Sequence, residues 1–257
     1  MIGVANTLGV VLTGNSVANT LVGDAILVDV NGLANNAPQD AIAWLLSRYG
    51  GYTGAVSKVG NFPAGYTING AITETNTVLY WVNRIAFEFR SFFKFQSGAA
   101  KLIVRPDAFI SAKTITKAQI DNFERVRSAY EDIINTINLR YDRDFSQAKG
   151  VGAYRGTKTV QDAASIAKYG EREKADIFFC NFITDPVLAA SVVGFYLTWY
   201  AGRHWTYSLD CFLDQVELEC GDQIQTEYRA GLAGMVRESG ISPGNNDMDR
   251  VNIKLEI

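Results

Sequence analysis

Nucleophilic catalysis at neutral pH usually needs an imidazole base, and the chain has one histidine, His204. Any Ser-His-Asp or Cys-His arrangement would have to use it. His204 follows Arg203 directly at the end of a helical pattern, where packing or capping is the simpler expectation. Paired carboxylates are the other route to acid–base chemistry. Glu171/Glu173, Glu217/Glu219 and Asp247/Asp249 are each two residues apart, as glycosidase acids or metal ligands can be. The same spacing puts both side chains on one face of a strand, where solvated carboxylates are common. Asn245, Asp247 and Asp249 approach a calcium loop but lack its glycine and its distal glutamate. Gly150 to Gly156 has neither the GK[ST] ending of a phosphate loop nor dinucleotide-type glycine spacing, and reads as a turn-rich loop. Gly14-Asn15-Ser16-Val17-Ala18 lacks the closing glycine of a nucleophile elbow. The expectation is that no residue is catalytic, cofactor-binding or metal-ligating, and that His204 and the carboxylate pairs are structural.

Composition narrows the function classes further. With 257 residues, 47% of them hydrophobic and 20% charged, the chain has the material for a substantial core. Twelve Tyr and fourteen Phe favour a β-rich fold. A net charge of −3 and a pI near 5.3 leave no electrostatic footprint for duplex DNA. The three cysteines, Cys180, Cys211 and Cys220, are odd in number and lack CxxC spacing, so reduced thiols are expected, with Cys180 and Cys211 buried in apolar strands. No basic region precedes an apolar run in the first twenty residues, so synthesis in a cytoplasm without secretory export is expected.

The elements that would position these residues centre on Ala175 to Gln225. A short β-prone run through Ile177–Cys180 ends at Asn181–Pro186. A helix then opens on Thr184 or Asp185 as cap, with Pro186 at its first turn. From Pro186 to Gly202 the chain is uncharged and apolar on every side, which predicts a helix buried on most of its circumference. It is just long enough for a membrane span of roughly 17 to 25 residues. Ser191, Gly194 and Thr198 dilute it and no basic cluster flanks it, so a core helix is the expectation. Gly194 marks either a close approach or a tolerated defect. Trp205, Tyr207, Leu209 and Cys211 then share one face of a strand that leads to a turn at Gly221-Asp222.

Upstream, Val4–Leu12 and Ala25–Val30 are β-prone, and Pro38 opens a helix with Ile42, Leu45, Leu46 and Tyr49 on one face. A weak strand is expected at Tyr66–Ile68. A helix over about Thr77–Arg90, capped by Thr75 or Asn76, aligns Val78, Trp81, Val82, Ile85 and Phe89. Phe92–Phe95 and Lys101–Val104 form a hairpin, and Arg105-Pro106-Asp107 is a boundary. Thr116 to Gln119 has capping-box spacing, with its continuation through Val126 left open. Strict alternation over Ile133–Tyr141 predicts a strand. Gly170 is expected in a turn with positive φ or in close backbone contact. The chain ends in the strand Val251–Ile257 with no following turn, which predicts a piece of a longer polypeptide.

Several stretches, in order, resemble the central tail hub proteins of tailed bacteriophages, the family of baseplate hubs and tail-tip attachment proteins. They are Pro38 to Gly50 with its leucine pair, the helix and hairpin from Gly70 to Pro106, and the ordered set Asn138 to Phe145, Asp162, Ser165, Tyr169 to Arg172 and Leu218 to Asp222. The resemblance implies an α+β, β-rich fold in which a barrel-like domain carrying a buried helix lies beside a smaller α/β domain of two helices and a hairpin. The boundaries it suggests are N-terminal strands over 1–30, the α/β domain over 31–112, and the hub domain over 113–257 with helix 186–202. It implies a non-enzymatic virion protein without cofactors, at the tail tip or baseplate and assembled in the host cytoplasm. Such a subunit is a homotrimer that continues the tail tube, anchors distal tail, tube, fibre or spike proteins, and meets DNA only transiently in the lumen during ejection, with no stable membrane insertion. Family hubs carry further chain before and after the matching region, so a fragment, or a hub divided among polypeptides, is expected. The rival from the residues themselves is a carbohydrate-active or carbohydrate-binding module at a cell surface, for which aromatic residues and paired carboxylates are suited.

Overall fold

The computed structural model describes residues 2–3, 10–13, 26–28, 37–96, 98–109, 113–148, 150–173, 178–229, 233–243 and 249–256. The fold is α+β and rich in sheets, and the chain divides into two compact units. The first holds residues 1–105 and 134–199, the second 106–133 and 200–257.

The first unit begins with β1 (Ile2–Gly3), β2 (Val10–Thr13) and β3 (Ile26–Val28), a three-stranded antiparallel sheet. The rest of the β-prone stretch Val4–Leu12 and of Ala25–Val30, and the Gly14 to Ala18 motif, lie outside the described residues. Helix α1 (Pro38–Tyr49) has proline in its first turn and buries Ile42, Leu45 and Leu46, as the 3.6-residue spacing requires. Gly51, at φ 67°, turns the chain out of it.

Strand β4 (Val56–Val59) follows, and then helix α2 (Val78–Glu88), which buries Trp81, Val82, Ile85 and Ala86. Its N-cap is Thr77, whose hydroxyl accepts the Tyr80 N–H, rather than the expected Thr75 or Asn76. Strands β5 (Ser91–Gln96) and β6 (Ala99–Val104) form the expected antiparallel hairpin, with β4 added parallel to β6. No strand forms at Tyr66–Ile68. Tyr66 and Ile68 are buried as irregular chain while Thr67 between them is exposed, and the Asn69 N–H bonds to the Phe182 carbonyl at 2.9 Å.

The second unit contains β7 (Lys113–Ile115) and β8 (Ile120–Arg127), with a 3₁₀ turn at Lys117–Gln119 between them. The Gln119 carboxamide accepts the Thr116 N–H at 2.9 Å, so the capping-box spacing closes a single turn and a strand follows it.

Back in the first unit, β9 (Thr136–Arg143) and β10 (Tyr154–Gln161) pair as an antiparallel hairpin. The strand expected from Ile133 starts three residues later. Gly150–Gly156 is a loop only as far as the 3₁₀ turn Val151–Ala153, beyond which β10 begins. Helix α3 (Ala163–Tyr169) leads to Phe178–Cys180, which makes a parallel bridge to β9 at Arg140↔Phe179 rather than a full strand. Ile177, the first residue of the expected strand, lies outside the described residues.

Helix α4 (Pro186–Tyr200) opens with Asp185, whose carboxylate accepts the Val187 N–H at 2.8 Å. It buries Leu188, Ala189, Val192, Val193 and Tyr196, whereas Val187 is 75% exposed. Burial is therefore one-sided, contrary to the expectation of a helix covered on most of its circumference. A Cβ at Gly194 would meet nothing within 4 Å, so no close approach explains that glycine. No described helix is long and apolar enough to cross a membrane.

The second unit continues with β11 (Trp205–Cys211), β12 (Gln223–Thr226), β13 (Ala233–Pro243) and β14 (Asp249–Glu256). Tyr207, Leu209 and Cys211 point inward as the alternation predicted, and with Ile224, Val236, Val251, Ile253 and Leu255 they form a contiguous core. The turn at Gly221, φ 98°, precedes β12. The six strands run in the order β7-β12-β13-β14-β11-β8. That order has two ends, and β7 does not pair with β8 among the described residues, so the described strands do not close into a barrel.

Candidate functional site

The motif residues Asp162, Ser165, Gly170 and Arg172 converge on one fully buried residue, Asn135, which precedes β9. Asp162 is the N-cap of α3 and accepts the Ser165 N–H at 2.8 Å. The Asn135 amide donates to the Ser165 hydroxyl at 3.2 Å and the Gly170 carbonyl at 2.8 Å, and its oxygen accepts the Arg172 N–H at 2.7 Å. Backbone bonds Asn135 N–H to Arg172 carbonyl and Asp162 N–H to Asn135 carbonyl, both 2.9 Å, complete the clasp. Gly170 sits at φ 76°, ψ 164°, the positive-φ conformation expected for it.

Glu171 and Glu173 do share a face, and both are exposed. Glu171 accepts from the Thr136 hydroxyl at 3.2 Å and the Gln161 amide at 3.1 Å, while Glu173 accepts from the Asn138 amide. They extend a polar ladder across β9 and β10. Glu217 and Glu219 are not on a strand at all. They lie in the turn after the 3₁₀ segment Leu213–Gln215, where the Asp222 carboxylate takes the Glu219 N–H at 2.9 Å. Asp247 and Asn245 are outside the described residues, and Asp249 opens β14. Among the described residues no group of three or more His, Cys, Asp and Glu could hold a metal ion.

His204 is half-buried in the second unit, where its backbone N–H donates to the Ser128 hydroxyl and its carbonyl accepts the Ser128 N–H. Arg203 donates Nε to the Ser128 carbonyl at 2.7 Å and lies over Tyr130. All three cysteines are free thiols, with Cys180 and Cys211 buried. Burial raises the Cys180 thiol well above its usual range and pushes Cys211 up to about 12, so neither offers a thiolate near neutrality.

The strongest concentration of buried charge was not singled out from the sequence. Glu88, at the end of α2, is fully buried and accepts the N–H groups of Asn181 and Phe182 at 2.9 and 2.8 Å and Arg84 Nε at 3.0 Å. Full burial raises its carboxyl above the ordinary range, against the pull of Arg84 and the two N–H groups. Beside this pair, Arg143 at the end of β9 donates Nη2 to Glu74 at 2.9 Å. Tyr154 donates its hydroxyl to the Asn181 side chain at 2.7 Å, and burial pushes that phenol up to about 12.

Arg84, Arg143, Glu74, Tyr80, Tyr154 and Phe179 line a cleft of about 370 Å³ in the first unit. It combines guanidinium donors with aromatic walls and brings no nucleophile together with a base. The one cue available in the sequence was the i,i+4 spacing of Arg84 and Glu88, which ordinarily marks a surface ion pair.

No protein-family model matches the chain, and no curated protein matches it. Solved structures do match its fold. The tail protein from Neisseria meningitidis MC58 is 12% identical with a TM-score of 0.61, the match covering 90% of this chain and 69% of that one. A chain in the virion of a native gene transfer agent particle is 12% identical with a TM-score of 0.58, covering 85% of this chain and 47% of that one. The 43 kDa tail protein of prophage MuSo2 from Shewanella oneidensis is 14% identical with a TM-score of 0.50, covering 92% and 70%. The chain thus has the fold of tail proteins and spans between about half and 70% of their length.

Proposed function

We propose that this chain is a structural, non-enzymatic subunit of a bacteriophage or phage-derived tail, placed in the virion as a central hub at the tail tip or baseplate. The observation that carries the reading is the fold it shares, over 85 to 92% of its length, with two tail proteins and a virion component. In this reading the subunit is a homotrimer that continues the tail tube and anchors distal tail, fibre or spike proteins. The two end strands of the six-stranded sheet supply a physical motive. Edge N–H and C=O groups need partners, and symmetric neighbours can complete a barrel-like wall that one copy leaves open. The acidic balance of the chain suits a lumen through which DNA slides without being gripped by rows of Lys and Arg.

Light scattering on the purified chain, and electron microscopy of tails that contain it, test the assignment. A threefold position at the distal end of the tube is the expected result. A monomer in solution that is also absent from, or not threefold in, assembled tails would overturn the hub assignment.

A further inference from the structure

We propose that the cleft of the first unit binds a carboxylate borne on an apolar or aromatic group. The argument starts from how little of the two guanidinium groups is used. The Arg143 side chain is 5% exposed, its Nη2 goes to Glu74, and its Nε is buried without a partner among the described residues. Arg84 hydrogen-bonds only to Glu88 among them, through Nε. A guanidinium offers five N–H donors in a planar fork, so each cation keeps donors available after its ion pair is made.

The charges also restrict the ligand. Glu88 already accepts from Arg84 and two backbone N–H groups, and Glu74 holds Arg143, so each guanidinium lies beside a carboxylate and the cleft offers donors without a large net field. A singly charged, planar carboxylate matches the fork geometry. A doubly charged phosphate would face repulsion from both fixed carboxylates. Tyr80, Tyr154, Phe179 and Val151 supply the walls for the uncharged part of the ligand, and about 370 Å³ lies within the size range of small-molecule sites, roughly 300–1,000 Å³. The carboxylate comes either from a free organic acid or from an acidic side chain of a polypeptide. This inference stands apart from the assembly role, because it concerns the isolated chain.

The test is an NMR titration that follows the Val151 methyl groups of the native chain. The probes are phenylacetate, phenylacetamide, inorganic phosphate and a blocked tripeptide with a central glutamate between leucine and phenylalanine. Phenylacetate should give saturable shifts at least tenfold tighter than the amide, and phosphate should be at least tenfold weaker than phenylacetate. Arg143→Gln should remove that preference. Should this variant fail to fold, Val151→Trp, on an exposed turn at the cleft and followed by isothermal titration calorimetry with phenylacetate beside the native chain because it lacks the reporter methyls, should abolish binding with an unchanged melting temperature. A peptide that binds at least as tightly as phenylacetate identifies a polypeptide source, and a preference for the free acid identifies a small molecule. Equal affinity for acid and amide, phosphate as tight as phenylacetate, or no saturable shift with any probe would overturn the assignment.

Discussion

The carboxylate of Glu88 accepts the backbone N–H of Phe182 at 2.8 Å, so the end of α2 holds the segment that leads into α4. The Asn181 N–H joins it at 2.9 Å and Arg84 balances the charge from one turn earlier in the helix. A carboxylate at 0% exposure survives only because all of this is present. Arg84→Met should therefore cost roughly 3–5 kcal/mol, the range for breaking a buried pair from one side. Glu88→Gln keeps one acceptor oxygen and should cost about 1–3 kcal/mol. Urea denaturation would measure both, and an Arg84→Met midpoint equal to the native one would remove the ion pair from the argument.

Gly170 offers a cleaner case, because sterics between side chains are absent. Nothing lies within 4 Å of a Cβ built there, so the whole penalty of a substitution comes from φ 76°, ψ 164°, a region essentially reserved for glycine. Gly170→Ala should cost about 1–3 kcal/mol. The same substitution at Gly152, which also has open space but no positive φ, should stay within about 0.5 kcal/mol. Equal melting temperatures for the two variants would mean that the backbone at Gly170 relaxes without cost. Native chain and Gly170→Ala should also differ in hydrogen exchange at the Arg172 amide, which Asn135 holds at 2.7 Å.

These two sites mark the limit of what the residues alone disclosed. α1 and α2 were legible because apolar residues recur on one face and proline or threonine marks the start. β9 was legible through its alternation, but its start was misplaced because Asn135 is held by Arg172 and Ile133 by the turn at Tyr130. β8 gave almost no signal, since nearly all of its residues are at least partly exposed and its sequence mixes charge with scattered apolar residues. The one-sided burial of α4 was hidden by the absence of a polar face. Glu88 was hidden for a different reason: the backbone N–H groups that fill its oxygens come from distant residues, and no local pattern encodes them.

Asp144 should make stability depend on acid pH in a defined direction. Its carboxylate accepts the Ser146 hydroxyl at 2.6 Å and the Ser146 N–H at 3.0 Å and pairs with Arg155 at 3.0 Å, which together lower it from 3.8 to about 2. A carboxyl lowered in the folded state stabilises above its unfolded value, and that contribution disappears as pH falls through the folded one. The melting-temperature gap between native protein and Asp144→Asn should thus be full above pH 3.8 and shrink toward pH 2. A gap that widened as pH fell would contradict the assigned hydrogen bonds.

The asymmetry of α4 gives a paired prediction that separates a core helix from a lipid-facing one. Val193 is 0% exposed among Leu188, Ala189, Val192 and Tyr196, whereas Val187, one and two-thirds turns earlier on the helix, is 75% exposed. An aspartate at Val193 would bury an unpaired charge whose desolvation costs several kcal/mol, comparable with the whole stability of a domain. Val193→Asp should therefore abolish soluble expression. Val187→Asp adds a solvated carboxylate in the first turn, where the positive end of the helix dipole favours it, and should leave stability within about 0.5 kcal/mol or raise it slightly. Soluble yield and thermal denaturation of the two variants decide the matter. If Val187→Asp were as damaging as Val193→Asp, the outer face of α4 would have to be covered in the folded chain, and the one-sided burial described above would be wrong.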